Sequence, residues 1–358
     1  MNPPRVPIRL AVRTLPAYVP GARPGDEGGD KLSSNENPFP PLEGVRAAVV
    51  AAAGQMNRYP DMLATELVEA IASRHGVAPA AVVAGGGSVG VLGHVLQAFC
   101  DAGDEVVHAW RSFEAYPIAI SLQGAVGVPV PLDGEGRHDL VAMAAAVTER
   151  TRVVIVCSPN NPTGPAVRAV ELRTFLASVP DDVLVVVDEA YVEFVRDPGA
   201  VDGITLLAAH PNVVVLRTFS KAYGLAGLRV GYAVAHPQIA AAVRTASTPF
   251  GVSHLAQVAA LASLDAEEAL FARVDAVVVE RDRLVAGLRA QGWAMPETQA
   301  NFVWLATGER AVALAADAAA HGVLVRPFAG EGIRITVGEA AANDRVLELT
   351  ARWAAGSG

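Results

Sequence analysis

Residues 217–231 read R-T-F-S-K-A-Y-G-L-A-G-L-R-V-G and set one lysine between small polar residues, glycines and a second fixed cation. Lys221 follows the apolar run 213–216, so we expect it just past the end of a buried strand. Desolvation and nearby Arg229 would lower its pKa there, which favours a nucleophilic amine that forms a Schiff base with an aldehyde. Ser220 and Arg229 can bind a phosphate, and the glycines let the backbone approach a flat ligand. The stretch predicts a site for a flat phosphorylated aldehyde, although a lone Ser-Lys pair is more often a solvated loop.

Length and composition exclude several classes of function. A chain of 358 residues can form one large domain and a smaller one, which suits an enzyme. With 28 basic and 37 acidic residues, a net charge of -9 and no basic block, we expect no nucleic-acid partner. The two cysteines, Cys100 and Cys157, lie in apolar stretches, so we expect no disulfide and no metal site, in a reducing cytoplasm. The N-terminus lacks a signal-peptide core, and the uncharged run 77–100 is broken by proline and glycines, so we expect no membrane span.

A glycine-rich turn at residues 85–89 joins a short apolar run to a periodic helix. Glycines that open a helix expose free backbone N–H groups and the positive end of its dipole, which together form an anion site. Gly87, Ser88 and Val89 are therefore predicted to bind phosphate. By itself such a turn is a weak signal and also fits a plain tight turn, but the lack of G-K-S/T excludes a P-loop.

Two valine-rich runs, 153–157 and 183–187, are typical of buried strands. The first ends in S-P-N-N-P-T-G, which presents the Asn161 amide at the carboxyl edge of the sheet, where open α/β sheets bind ligands. The second delivers Asp188, which is either a helix cap or the partner of a protonated ring nitrogen. Phe113 follows another strand end and either stacks on a ligand ring or packs in the core.

The pattern divides the chain into three parts. Residues 1–45 are rich in proline, glycine and polar residues and are predicted to form an extended arm, partly in the small domain. Residues 46–249 are predicted to form a large, doubly wound α/β domain with a mostly parallel sheet. Residues 250–358, with long alanine-rich helices and short strands, are predicted to form a small α/β domain. Arg334 lies in an apolar strand there, so we expect it to have an anionic partner, either a ligand carboxylate or a structural carboxylate.

These segments together resemble fold-type I pyridoxal 5'-phosphate (PLP) dependent aminotransferases of the histidinol-phosphate and aromatic aminotransferase family. The resemblance rests on S-K-A-Y-G-L-A-G-L-R-V-G at 220–231, L-S-S-N-E-N-P at 32–38 and N-R-Y-P at 57–60. A-W-R-S-F-E-A-Y-P at 109–117 is more similar to the actinobacterial phenylalanine (aromatic amino acid) branch than to the histidinol-phosphate branch. The resemblance covers nearly the whole chain, from Tyr18 to Arg334.

The resemblance implies a role for each matched position, with Lys221 as the catalytic residue that carries PLP. The residues implied to bind the cofactor's ring are Phe113, Asn161, Asp188 and Tyr191. Those implied to bind its phosphate are Gly87, Ser88, Val89, Ser220 and Arg229, together with Tyr59 reaching across the interface of a homodimer. Those implied to contact substrate are Tyr18, Asn35, Arg334 and Arg326, with Tyr18, Phe113 and Phe250 as candidate apolar walls.

The implied activity is transfer of an amino group from an aromatic amino acid, such as phenylalanine, to 2-oxoglutarate, giving an aromatic 2-oxo acid and glutamate. Transamination of histidinol phosphate stays open, because an arginine pair accepts a phosphate as readily as a carboxylate. A PLP-dependent decarboxylase or lyase is a weaker alternative that would release carbon dioxide. A PLP-binding regulator would need an appended DNA-binding domain, which the sequence does not show.

Overall fold

The computed structural model describes residues 6–15, 21–22 and 28–355. Its strands are β1 Asp30–Lys31, β2 Val82–Gly85, β3 Glu105–Trp110, β4 Val126–Pro131, β5 Thr151–Cys157, β6 Leu184–Asp188, β7 Val213–Thr218, β8 Gly231–Ala235, β9 Phe302–Leu305, β10 Val323–Leu324, β11 Arg326–Phe328 and β12 Gly332–Thr336. Its α-helices are α1 Leu10–Thr14, α2 Glu43–Ala52, α3 Thr65–His75, α4 Gly87–Phe99, α5 Ala115–Gln123, α6 Leu140–Ala145, α7 Ala169–Leu176, α8 Pro237–Ala246, α9 His254–Asp265, α10 Glu267–Ala290, α11 Ala311–Ala320 and α12 Ala340–Ala355.

The central sheet has seven strands in the order β2-β8-β7-β6-β5-β3-β4. Its neighbours pair in parallel except at β8, which is antiparallel to both β2 and β7. Successive residues of β6 alternate between two buried clusters, with Val186 in one and Val185 and Val187 in the other. Both faces of the sheet are therefore covered, which is why its strands are continuous valine and isoleucine runs. The predicted α/β fold with a mostly parallel sheet is confirmed.

A second sheet lies in the C-terminal third, where β12 pairs antiparallel with both β11 and β9. Part of the N-terminal segment joins this region, because β1 pairs in parallel with β10 and the backbone N–H of Thr336 donates to the carbonyl of Leu32 at 2.9 Å. A single cluster of buried apolar side chains includes residues of helix α3 and of helix α12. The boundaries after residues 45 and 249 stay predictions.

Local sequence signals explain where single helices begin and end. The Asp61 carboxylate accepts hydrogen bonds from the backbone N–H groups of Leu63 and Thr65 just before α3, and Gly76 ends that helix in the left-handed conformation. The arm is not wholly extended, since it includes the five-residue helix α1, beside which the Arg9 guanidinium donates to the carbonyl of Leu122. Within the described ranges, no helix combines the length and apolar character needed to cross a membrane.

Candidate active site

The site is a cavity at the carboxyl edge of the central sheet, where β5, β6 and β7 end. Twelve residues that the sequence predicted line it: Asn35, Ser88, Val89, Phe113, Asn161, Asp188, Tyr191, Ser220, Lys221, Arg229, Arg326 and Arg334. Parallel strands bring their carboxyl ends to one edge, so residues far apart in the chain meet there. Gly87 lies beneath Arg229 at the start of α4. Tyr18 lies outside the described residues.

Lys221 lies three residues beyond the end of β7. Its Nζ donates to the carbonyl of Ser34 at 3.2 Å and lies 5.8 Å from the centre of the Tyr191 ring. Burial lowers the pKa of Lys221 to about 7; Arg334 lowers it further, while the Glu36 carboxylate opposes the shift. Arg229, the cation expected from sequence to act on the lysine, has a smaller effect than Arg334. At neutral pH a large fraction of Lys221 is therefore the nucleophilic free amine.

Asp188 is the last residue of β6 and is 4% exposed. Its Oδ2 accepts a hydrogen bond from the Tyr116 hydroxyl at 2.7 Å, while its buried Oδ1 has no hydrogen-bond partner among the described residues. Burial raises the pKa of Asp188 to about 6, against the lowering effect of the Tyr116 hydrogen bond. A buried carboxylate oxygen without a donor is costly, so this atom fits a ligand that brings a protonated nitrogen.

We use the name anion cradle for Gly87 and Ser88 at the start of α4 together with Ser220 and Arg229 in the segment before β8. Arg229 donates from Nη1 to the Ser220 hydroxyl at 3.1 Å. Gly87 has φ +81°, and a Cβ there would lie 2.6 Å from Nη2 of Arg229. A Cβ on Gly231 would lie 2.5 Å from the backbone nitrogen of Ser88. Only glycine lets the guanidinium and the helix start come this close, and their combined positive charge suits a phosphate.

A second hydrogen-bonded group lies near the lysine in the cavity. Asn35 Nδ2 donates to the Tyr191 hydroxyl at 3.0 Å. Arg334 Nη1 donates to Oδ1 of Asn161 at 2.6 Å, and its Nη2 donates to the carbonyl of Ser33 at 2.7 Å. These two acceptors are neutral oxygens, and the anionic partner expected for Arg334 from the sequence stays a prediction. The group links the N-terminal segment, the central sheet and the small sheet at one point.

Several contacts in the cavity were not foreseen from the sequence. Glu114 accepts a hydrogen bond from Arg326, and Phe328 lines the cavity beside that arginine. Phe113 is half-buried and meets the ring of Tyr116 edge-on, with centroids 5.6 Å apart. Of these residues, only Tyr116 could have been predicted near the site from the sequence, because it lies three residues after Phe113 and so close to the same strand end.

Two aromatic residues lie away from this cavity. Tyr59 is 83% exposed, and its ring stacks on that of Phe250 with centroids 4.6 Å apart. The expectation that Phe250 supplies a wall of the cavity was wrong for this chain's own site, and Phe328 takes that place. Tyr59 does not line this cavity either, and its contact with a cofactor phosphate across a dimer interface stays a prediction.

The residues present fit PLP on two structural grounds. Asp188 offers a buried Oδ1 that can accept a hydrogen bond from a pyridinium nitrogen, and Gly87 lets the Arg229 guanidinium lie against the start of α4, so that both can face one phosphate. Lys221 lies in the same cavity and offers an amine for an aldehyde. The fold is that of fold-type I PLP-dependent aminotransferases.

The chain belongs to the aminotransferase class I and II family, whose model matches residues 30–349. It is 56% identical over 349 residues to the aromatic amino acid aminotransferase of Streptomyces avermitilis, covering 97% of each chain. It is 55% identical over 344 residues to the enzyme of the same name from Thermobifida fusca, covering 96% of each. Among solved structures it is similar to histidinol-phosphate aminotransferase from Sinorhizobium meliloti in complex with PLP, with a TM-score of 0.88 and 28% identity over 98% of each chain. The predicted family is confirmed.

Proposed function

We propose that this protein is a PLP-dependent aminotransferase that moves the amino group of an aromatic amino acid, such as phenylalanine, to 2-oxoglutarate. The observation that carries the chemistry is one cavity that holds a lysine of pKa about 7 and a buried aspartate oxygen without a partner among the described residues. The choice of substrate is supported by the names of the relatives, which are similar over nearly their full length.

In the proposed site, Phe113 would hold the face of the PLP ring, and Asn161 and Tyr191 would hydrogen-bond to its phenolic oxygen. The residues that hold its phosphate are Gly87, Ser88, Val89, Ser220 and Arg229. When bound, PLP supplies an aldehyde that takes up an amine and a ring that accepts the electrons of a broken Cα–H bond. The Asp188 carboxylate would keep a proton on the ring nitrogen, which makes the ring electron-withdrawing.

Lys221 has two tasks in this proposal. Its amine would hold the resting cofactor, and with an amino acid bound the free amine would take the Cα proton and return a proton in the next step. A pKa of about 7 suits both directions, because a general base and a general acid work best near the operating pH. Arg334 and Asn35 hold the substrate carboxylate, which orients the Cα–H bond toward Nζ of Lys221.

The substrate side chain needs an apolar wall, and Phe113 and Phe328 supply one within the cavity. Each well-packed aromatic contact adds ~0.5–1.5 kcal/mol beyond the area that it buries. Histidinol phosphate is the second candidate, because Arg334 and Arg326 both line the cavity and the Sinorhizobium meliloti structure carries that name.

We also propose a cytoplasmic homodimer. Tyr59 is exposed together with Met56, Met62 and Leu63, which is an unusual density of apolar side chains for a free surface. In a dimer these residues would be covered, and Tyr59 would reach the partner's cofactor phosphate. The free thiols of the two cysteines suit a reducing compartment. Light scattering across a dilution series, with activity followed in parallel, tests this; a fully active monomer would refute the shared site.

The substrate assignment is tested by comparing kcat/KM for phenylalanine and for histidinol phosphate, with 2-oxoglutarate as acceptor. We expect at least a tenfold preference for phenylalanine, which corresponds to about 1.4 kcal/mol in transition-state stabilisation. A tenfold preference for histidinol phosphate would overturn the assignment. Release of carbon dioxide without amino transfer would replace it with a decarboxylase.

A further inference from the structure

Two arginines stand directly opposite each other at the outer wall of the cavity. In the small sheet Arg326 of β11 is the cross-strand partner of Arg334 in β12, and both side chains reach the cavity. Like charges at opposed positions repel, and a buried cation is costly without an anion. Arg326 is 8% exposed, so the fold requires a counter-charge beside it.

Glu114 supplies that counter-charge from the turn between β3 of the central sheet and α5. Its Oε2 accepts a hydrogen bond from Nη2 of Arg326 at 2.7 Å, and the pair is partly screened from water. Glu114 is the residue just before α5, where the positive end of the helix dipole stabilises a carboxylate. It also lines the same cavity as Phe113 and Lys221. The protein therefore fixes an anion of its own on one of the two arginines available to a substrate.

We propose that Glu114 is a specificity-determining residue. Because its carboxylate already pairs with the Arg326 guanidinium, the part of the cavity beside Arg326 accepts neutral substrate side chains and rejects phosphate-bearing amines. This inference rests on the proposed function, in which Arg334 binds the α-carboxylate of an amino acid. A phosphate that approaches Arg326 must displace a charge-assisted hydrogen bond or lie next to a carboxylate, and both cost binding energy. A phenyl ring makes neither demand. Glu114 thus acts by excluding the competitor rather than by attracting the aromatic substrate.

The test uses single-turnover reactions of the holoenzyme, followed by visible absorbance. No oxo acid is added, so the acceptor does not contribute to the measured rate. The measured quantity is the kcat/KM of histidinol phosphate divided by that of phenylalanine. Glu114→Gln keeps the shape of the side chain and frees the charge of Arg326, so we expect this ratio to rise at least tenfold. The matched control is Glu331→Gln, which breaks the Arg111–Glu331 ion pair between the two sheets. Neither of those residues lines the site cavity within the described part of the chain, so the control should leave the ratio within twofold.

Two further variants keep the inference testable if Glu114→Gln folds poorly. Arg326→Gln leaves Glu114 as an uncompensated negative charge and should lower the ratio below that of the wild type. The double variant Glu114→Gln/Arg326→Gln is neutral at both positions, like the intact pair, and should return the ratio to within threefold of the wild type. A ratio in Glu114→Gln within twofold of the wild type, or a double variant no different from Arg326→Gln, overturns the role of Glu114. If the wild type turns over no aromatic amino acid, the proposed function fails instead.

Discussion

Replacing Gly87 with alanine adds one carbon atom, the Cβ, to the anion cradle. The new Cβ would lie 2.6 Å from Nη2 of Arg229, so the guanidinium must move away from the start of α4. A φ of +81° adds ~1–2 kcal/mol of strain for a residue with a side chain. Loss of one hydrogen bond from a charged group to the phosphate costs ~1.5–3 kcal/mol, so we expect the Kd of PLP to rise about 10- to 100-fold.

The assay is a titration of the apoprotein with PLP, followed by visible absorbance. The matched control is Gly90→Ala, three residues further along the same helix, where no atom lies within 4 Å of the added Cβ. Alanine is the better helix former, so this control should stabilise the protein by ~0.5–1 kcal/mol and leave the Kd within twofold. The reasoning about the cradle would be refuted if Gly87→Ala bound PLP as tightly as Gly90→Ala.

Three further predictions concern the lysine, the aspartate and the exposed tyrosine. The pKa of Lys221 is lowered to about 7, so its reactive amine becomes protonated as the pH falls below that value. We expect the rate of PLP attachment to the apoprotein, measured by stopped flow, to drop about tenfold per pH unit in that range. A rate that stays constant down to pH 5 would contradict this prediction. Asp188→Asn removes the negative charge that would keep a proton on the ring nitrogen of PLP, so we expect kcat to fall at least about 100-fold in a steady-state assay. Near-normal turnover would show that the PLP ring needs no counter-charge. Tyr59→Phe removes one hydrogen bond from the proposed shared site, worth ~0.5–1.5 kcal/mol, so the Kd of PLP should rise several-fold while light scattering still reports a dimer. An unchanged Kd speaks against a phosphate contact.

Strand ends were the part of the site that the sequence could predict. The valine run before Lys221 becomes β7 and the run before Asp188 becomes β6, and parallel pairing of these strands places the lysine and the aspartate in one cavity. The alanine-rich helical pattern predicted after residue 250 becomes, among others, the long helix α10. In each case the signal is local, because a continuous apolar run or an uninterrupted helical pattern determines the element.

Contacts between distant segments could not be predicted in this way. The Glu114–Arg326 ion pair joins residues 212 positions apart, and no periodic pattern relates them. For the same reason the sequence pointed to Arg229 as the cation that lowers the pKa of Lys221, whereas Arg334, brought across by the small sheet, has the larger effect. Phe250 was misplaced in this chain's own cavity because its loop has no regular pattern to show which way the ring faces.

The most direct test of the central claim is to locate the residue that carries the cofactor. The chain contains only two lysines, Lys221 and Lys31, and Lys31 forms an ion pair with Glu36 at 2.7 Å. Borohydride reduction of the PLP-loaded protein, followed by proteolysis and mass spectrometry of the peptides, should place the pyridoxyl group on Lys221 in nearly all of the labelled material. A label on Lys31 or on the N-terminal amine, or no stable label at all, would contradict the account.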